Sequence, residues 1–75
     1  MNFKFIDKLK KSNVTRKQLA YELGVSRGMI THWVVGRIKP VRIEHYLKMA
    51  FLFECDIKEV VEIFYNDMII NVNKK

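Results

Sequence analysis

The sequence has few of the features that mark secreted, disulfide-bonded or membrane-spanning proteins. Its 75 residues include one cysteine, Cys55, so no internal disulfide can form and nothing suggests an oxidising compartment. No apolar run approaches the roughly 20 residues of a membrane-spanning helix, and the first residues lack a signal-peptide pattern. We therefore expect a soluble, cytoplasmic protein that does not contact a membrane.

Residue patterns that carry enzymatic chemistry are also missing. His32, His45 and Cys55 lack the spacing of metal ligands, and neither a phosphate-binding loop nor a nucleophile paired with a base is visible. Asp56 and Glu59 suit helix capping better than acid–base catalysis. The length allows one domain with a modest core and no separate effector domain. We expect a protein that is not an enzyme and that uses no metal, cofactor or small-molecule effector.

Acidic residues are scarce in the first half of the chain, although the whole chain has a formal net charge of +6. Residues 1–42 hold ten basic and two acidic side chains, whereas residues 43–75 hold four basic and six acidic ones. This uneven charge favours a face that binds a polyanion such as nucleic acid, and the alternative is a solvated basic surface. Hydrophobic residues make up 49% of the chain, which indicates a folded domain.

Helical spacing and capping signals predict an all-α fold, with three short helices in the first half of the chain. The first helix is expected over residues 3–10. Thr15 begins the second helix through a capping box with Gln18, and Gly24 ends it because glycine readily adopts a left-handed conformation. Ser26 caps the third helix, which ends near residue 34 or 35.

Two more helices are predicted in the second half, after a loop at residues 36–40. The fourth ends near residue 53, and a capping box of Asp56 with Glu59 begins the fifth at residue 57. The inner face of the fourth helix is expected to consist of Ile43, Leu47, Ala50 and Phe51. The apolar face of the fifth is expected to consist of Ile57, Val60, Val61 and Phe64.

Residues 67–75 form a C-terminal tail whose structure the sequence leaves open. Met68, Ile70 and Val72 alternate as in a strand, yet Met68 also continues the helical face of Phe64. One apolar stripe suffices to pack a terminal helix, so the other apolar side chains would be exposed and would mark a partner surface. The alternative is a tail that folds back over its own core. The predicted homodimer interface consists of Ile63, Met68, Ile69, Ile70 and Val72.

Residues 15–34 carry the clearest functional signal, since two short helices here join through a tight turn. Small Ala20 lets the helices cross closely, and Gly24 supplies the turn. We expect the core between the helices to contain Leu19, Leu23, Val25, Ile30 and Trp33.

This segment resembles the Cro/repressor family of helix-turn-helix proteins, also called the xenobiotic-response-element family. The resemblance covers about residues 3–65 and rests on the pattern T-x-x-x-L-A-x-x-L-G-V-S-x-x-x-I-x-x-W-x-x-G-x-x-x-P. The matching residues are Thr15, Leu19, Ala20, Leu23, Gly24, Val25, Ser26, Ile30, Trp33, Gly36 and Pro40. The resemblance implies a five-helix DNA-binding domain over residues 1–66. It also implies a transcriptional regulator, a repressor of phage or bacterial type, that acts on the nucleoid of a bacterial cell or a phage-infected host.

The sequence departs from the family pattern at three places. Val34 stands where the family often has Glu, and Leu9 or Lys10 stands where the first helix often has the Arg that pairs with that Glu. An apolar contact therefore replaces a charged one. Glu54 stands where the family often has Gly, so the turn before the last helix is expected to differ. Gly28, in the first turn of the third helix, costs up to about 1 kcal/mol of helix propensity relative to Ala.

The resemblance also implies which residues read bases, because the third helix of this fold enters the major groove with its N-terminal residues leading. Arg27 suits a bidentate contact to guanine or else a phosphate contact. Met29 either touches a thymine methyl or packs against the rim of the core. The implied base-reading set is Arg27, Gly28, Met29, Thr31 and His32.

Phosphate contacts are expected at both ends of the motif. The N-terminus of the second helix offers free N–H groups and a partial positive charge, and the loop after the third helix is basic. The implied phosphate-binding set is Thr15, Arg16, Lys17, Gln18, Arg37, Lys39 and Arg42. Such proteins usually bind double-stranded DNA as homodimers on near-palindromic operators. The alternatives are a DNA-binding antitoxin or protein-interaction module, and a protein that binds RNA or binds nucleic acid without sequence preference.

Overall fold

The structure, a computed structural model, describes the backbone of residues 1–73 and the side chains of residues 1–65. That part of the chain contains five helices and no strand, which confirms the predicted all-α fold. The helices are α1 (Phe3–Lys11), α2 (Arg16–Leu23), α3 (Arg27–Val35), α4 (Ile43–Phe53) and α5 (Ile57–Asn73). None of the helices found there is both long enough and apolar enough to cross a bilayer.

Side-chain caps begin the first three helices, as local sequence signals require. The Thr15 hydroxyl oxygen accepts the N–H of Gln18 at 3.0 Å, and the Ser26 hydroxyl oxygen accepts the N–H of Met29 at 3.1 Å. Each bond satisfies one of the N–H groups that a helix start leaves unpaired. At α5 the Glu59 carboxylate, which was predicted to cap the helix, pairs with the Lys8 ammonium of α1.

Left-handed residues end three of the helices. Gly24 has φ of 68° and Gly36 has φ of 83°, as expected for helix C-caps. Glu54 adopts the same conformation at the end of α4, with φ of 53° and its N–H directed at the carbonyls of Ala50 and Phe51. The turn before α5 therefore keeps the geometry of a glycine cap, and a residue with a Cβ bears the strain, which is about 1–2 kcal/mol.

The core receives side chains from all five helices and is rich in aromatic rings. The Phe5 ring lies 5.1 Å from that of Phe64, and the Trp33 ring lies 6.3 Å from the same Phe64 ring. The fully buried side chains are Phe5, Leu19, Ile30, Trp33, Val34, Met49 and Val60, together with Pro40. Val34 and Leu9, which stand where the family often has a charged pair, both belong to this apolar core.

The predicted inner face of α4 is wrong. Ile43, Leu47 and Phe51 are 64%, 55% and 78% exposed, and Ala50 is half-buried. The helix instead buries the face formed by Tyr46, Met49 and Phe53. Both faces are apolar with helical spacing, so periodicity cannot choose between them, and packing against α2 and α5 decides.

The apolar face of α5 follows the prediction in the described residues. Val60 and Phe64 are buried, and Ile57 and Val61 are half-buried against the core. The backbone continues as a helix to Asn73, with a kink at Tyr65 (φ −128°, ψ 28°), so the strand alternative for the tail is not adopted. The predicted interface residues Met68, Ile69, Ile70 and Val72 lie outside the residues whose side chains are described.

Candidate nucleic-acid interface

Helices α2 and α3 form a tight helix-turn-helix. The turn closes where the N–H of Val25 donates to the carbonyl of Ala20 at 3.0 Å, after the left-handed Gly24. Leu19 and Ile30 are fully buried, and Ala20 is buried as the close crossing of the two helices requires. Leu23 and Val25 are half-buried and pack against the same core. The motif is therefore rigidly attached to the rest of the domain.

The two sides of α3 differ sharply in burial. Ile30, Trp33 and Val34 hold one side in the core, whereas Gly28 and Thr31 lie exposed on the other, and Arg27 is exposed as the first residue of the helix. Of the remaining predicted base-reading residues, Met29 and His32 are half-buried, and Met29 packs against the core. The structure thus brings three of the five predicted residues together on a surface open to a ligand.

Arg27 and Thr31 have different freedom on this surface. Thr31 donates its hydroxyl hydrogen to the backbone carbonyl of Arg27 at 3.1 Å, so its oxygen is left as an acceptor. Among the side chains that the structure describes, no carboxylate forms an ion pair with Arg27. The guanidinium is therefore available for a planar, bidentate contact of the kind made to guanine O6 and N7.

Gly28 is not required by the fold. A Cβ built at this position would meet only the Ser26 hydroxyl oxygen, at 3.7 Å, which is an ordinary contact. The backbone there is helical, so no left-handed conformation demands glycine either. With no side chain at this exposed position, the α3 backbone is open to close approach from outside the domain.

The N-terminus of α2 presents an exposed cationic surface. Thr15, Arg16, Lys17 and Gln18 are all exposed. Thr15 uses its side-chain oxygen on the N–H of Gln18, while the helix start adds its own partial positive charge. Within the described side chains, neither Arg16 nor Lys17 takes part in an ion pair. The geometry suits phosphate oxygens, which accept from both backbone and side-chain donors.

The basic loop after α3 is held in place by the end of that helix. The left-handed Gly36 turns the chain so that the N–H of Arg37 donates to the carbonyl of His32 at 3.0 Å. Pro40 is buried, and its carbonyl oxygen accepts from the hydroxyls of Tyr46 and Tyr65. Arg37 and Lys39 are thereby placed, exposed, on a loop with fixed ends.

Two of the predicted phosphate ligands already have partners within the chain. The Lys39 ammonium lies 5.6 Å from the centre of the Tyr65 ring, a cation–π contact. The Arg42 guanidinium pairs with the Glu44 carboxylate at 2.9 Å. Sequence reasoning missed both partners. The pairing of Arg42 with Glu44 could have been predicted, because the two residues are close in the sequence at the start of α4. No local signal connects residue 39 with residue 65.

The described residues hold no group of three or more His, Cys, Asp or Glu side chains placed to bind a metal ion. Burial raises the pKa of the Cys55 thiol, which sits between α4 and α5.

The comparisons with known proteins agree with this geometry. Residues 5–64 match the family model of the Cro/C1-type helix-turn-helix DNA-binding domain. No curated protein and no solved structure matches the chain. The matched range begins inside α1 and contains the first residues of the other four helices, so it includes both helices of the motif. The chain therefore belongs to the Cro/C1-type helix-turn-helix DNA-binding family.

Proposed function

We propose that this DNA-binding protein is a sequence-specific transcriptional regulator that represses by covering a promoter, in a bacterial cell or a phage-infected host. The observation that carries the proposal is the division of α3, whose one side is locked in the core by Ile30 and Trp33 while Arg27, Gly28 and Thr31 face outward. A helix held in this way can enter the major groove without reorganising. The protein acts in the cytoplasm by binding, without catalysis and without a small-molecule effector.

In the proposed complex, Arg27 reads a guanine through two parallel hydrogen bonds. Gly28 lets the helix backbone come close to the DNA, and Thr31 offers its hydroxyl oxygen as an acceptor. Met29 and His32, both half-buried, reach a thymine methyl and a base edge or phosphate respectively. The exposure and the chemistry of these side chains support the roles, and each role can be tested by a single substitution.

Phosphate contacts position the domain on the duplex. Thr15, Arg16, Lys17 and Gln18 contribute them at the start of α2, and Arg37, Lys39 and Arg42 contribute them beyond α3. Lys39 and Arg42 must exchange an internal partner for a phosphate, so each adds less to affinity than an unpaired cation does. Their substitution by alanine should still reduce the slope of log affinity against log salt by about one unit each.

The regulator is proposed to act as a homodimer on a near-palindromic operator, since two-fold proteins of this kind read two half-sites about one helical turn apart. The sequence predicts Ile63 and the tail as one candidate for the contact. Ile63 is half-buried and packs against the core, and its carbonyl accepts from the Asn2 side chain at 3.1 Å.

Selection of bound sequences from a random pool of duplexes tests the proposal directly. An enriched near-palindrome is expected. Arg27→Ala should then cost about 1–3 kcal/mol of binding free energy at one base position per half-site and relax the preference there. Lys17→Ala is the matched control, because a phosphate ligand should weaken binding to all sequences alike. No enrichment, or tighter binding to single-stranded RNA than to any duplex, would refute the proposal.

A further inference from the structure

The outer side of α4 carries an apolar stripe that DNA binding does not use. Ile43, Leu47 and Phe51 follow one another at intervals of four residues, which places them on one side of the helix over about 12 Å. All three are largely exposed, and so is Val41 just before the helix. A contiguous apolar surface on a small soluble domain usually marks the binding site of a partner. We call these three residues the α4 stripe.

The charges around the α4 stripe are ordered along the helix axis. Exposed Glu44 and Lys48 lie on the same edge of the stripe, at about 60° and 100° from Leu47 around the helix. The two ends of the helix differ in sign. The residues at the N-terminal end are Lys39 and Arg42, and those at the C-terminal end are Glu54 and Asp56. Such a surface is complementary to itself when it is turned end for end.

We propose that the α4 stripe binds a second copy of this chain, with the two α4 helices antiparallel about a two-fold axis at Leu47. Leu47 then meets the partner's Leu47, and Ile43 faces the partner's Phe51 at both ends when the two helices cross at about 50°, which aligns their rows of residues four apart. Glu44, which pairs with Arg42 within the chain, lies about 3 Å along the axis from the partner's Lys48, on the same edge of the contact. The basic end of each helix faces the acidic end of the other, and the two helix dipoles oppose each other.

This inference rests on the proposed function in one respect, because the reading of two half-sites requires a two-fold contact. The contact itself is small. Two 11-residue helices cover less than the roughly 1,200–2,000 Å² of a standard stable interface, so we expect a dissociation constant in the micromolar range. The dimer would then be completed on DNA, where the neighbouring half-site raises the effective concentration of the second copy.

Sedimentation velocity of the full chain without DNA tests the contact, over about 1–100 µM. The parent protein should be dimeric at the upper end. Leu47→Glu places two carboxylates at the two-fold axis and should raise the dissociation constant at least about 30-fold. Tyr21→Glu is the matched control, since Tyr21 is 84% exposed on α2, outside the stripe, and its dissociation constant should stay unchanged. Circular dichroism checks that both variants fold.

A charge exchange tests the antiparallel arrangement. Glu44→Lys leaves the edge wholly basic and Lys48→Glu leaves it wholly acidic, so each variant alone should dimerise more weakly than the parent. An equimolar mixture should restore dimers, because the two edges are then complementary. A mixture that stays monomeric while the parent is dimeric overturns this arrangement.

The proposal is also overturned if the parent is monomeric at the highest concentration. It is overturned as well if removal of residues 67–75 abolishes a dimer that Leu47→Glu preserves. Because these measurements use no DNA, they are independent of base reading. A stable dimer that selects no DNA sequence would refute the proposed function and leave this inference standing. A monomer whose base preference still depends on Arg27 would refute this inference and leave the proposed base reading standing.

Discussion

Two glycines of the helix-turn-helix should respond oppositely to the same substitution. Gly28 lies in the first turn of α3 with helical backbone angles, and an added Cβ would meet only the Ser26 hydroxyl oxygen at 3.7 Å. Gly28→Ala therefore raises the helix propensity of this position. It also lowers the conformational entropy of the unfolded chain, which stabilises the folded state. We expect the free energy of unfolding to rise by about 0.5–1 kcal/mol, which corresponds to about 2–8 °C in Tm for a domain of this size.

Gly24→Ala is the control, because its added Cβ would meet nothing within 4 Å. The room for an added Cβ is therefore sufficient at both positions, and the two glycines differ only in their backbone conformation. Gly24 has φ of 68°, a left-handed conformation that costs a residue with a Cβ about 1–2 kcal/mol. Gly24→Ala should lower Tm by about 4–8 °C or more.

Thermal unfolding followed by circular dichroism measures both effects on the free protein. A lower Tm for Gly28→Ala than for the parent would refute the reasoning, since it would show that the fold itself needs glycine there. The DNA-binding side of the argument has its own measurement. If the DNA approaches the α3 backbone at Gly28, the stabilised variant should bind the selected operator more weakly than the parent does. Unchanged affinity would remove Gly28 from the interface.

Three further predictions concern the core, the α4–α5 turn and the one ion pair between α1 and α5 in the described residues. Val34→Glu would bury an uncompensated charge at a side chain that is 1% exposed, and a cost of several kcal/mol against a total of about 4–11 kcal/mol should leave the chain largely unfolded by circular dichroism. Glu54→Gly should relieve the left-handed strain and raise the urea midpoint by an amount equivalent to about 1 kcal/mol; a lower midpoint would contradict the strain argument. The hydrogen bond from Lys8 holds the pKa of Glu59 below its ordinary range, so the pair stabilises the fold at neutral pH and loses its effect as pH falls through that lowered pKa. Urea unfolding of Glu59→Gln should therefore differ from that of the parent at neutral pH and coincide with it in strong acid, and a difference that persists in acid would argue for another cause.

Much of the candidate site could be predicted because its determinants are close together in the chain. The exposed position of Gly28 follows from the burial of Ile30 and Trp33 on the same short helix, since 100° per residue places it about 160° and 140° from them. Arg27 lies only about 60° from Ile30, and it is exposed because it is the first residue of the helix. The sequence leaves open whether Met29 is buried or exposed, because it lies between these two directions on the helix. In the structure its side chain is half-buried.

The sequence by itself determined where the helices of the motif begin and end. Thr15 and Ser26 bond to N–H groups three residues away, and Gly24 needs only its own backbone freedom. Such interactions are complete within one turn of the chain, so no knowledge of the fold is needed to recognise them.

Only the tertiary structure decided which of the two apolar faces of α4 is buried and which partners the long basic side chains have. Lys8 pairs with Glu59, and Lys39 lies over Tyr65, across separations that no local pattern spans. The exposed α4 stripe has the same helical period as the buried face, and the two differ only in what the neighbouring helices cover. Burial is a property of the assembled helices, because water is excluded from a face only when another element packs against it.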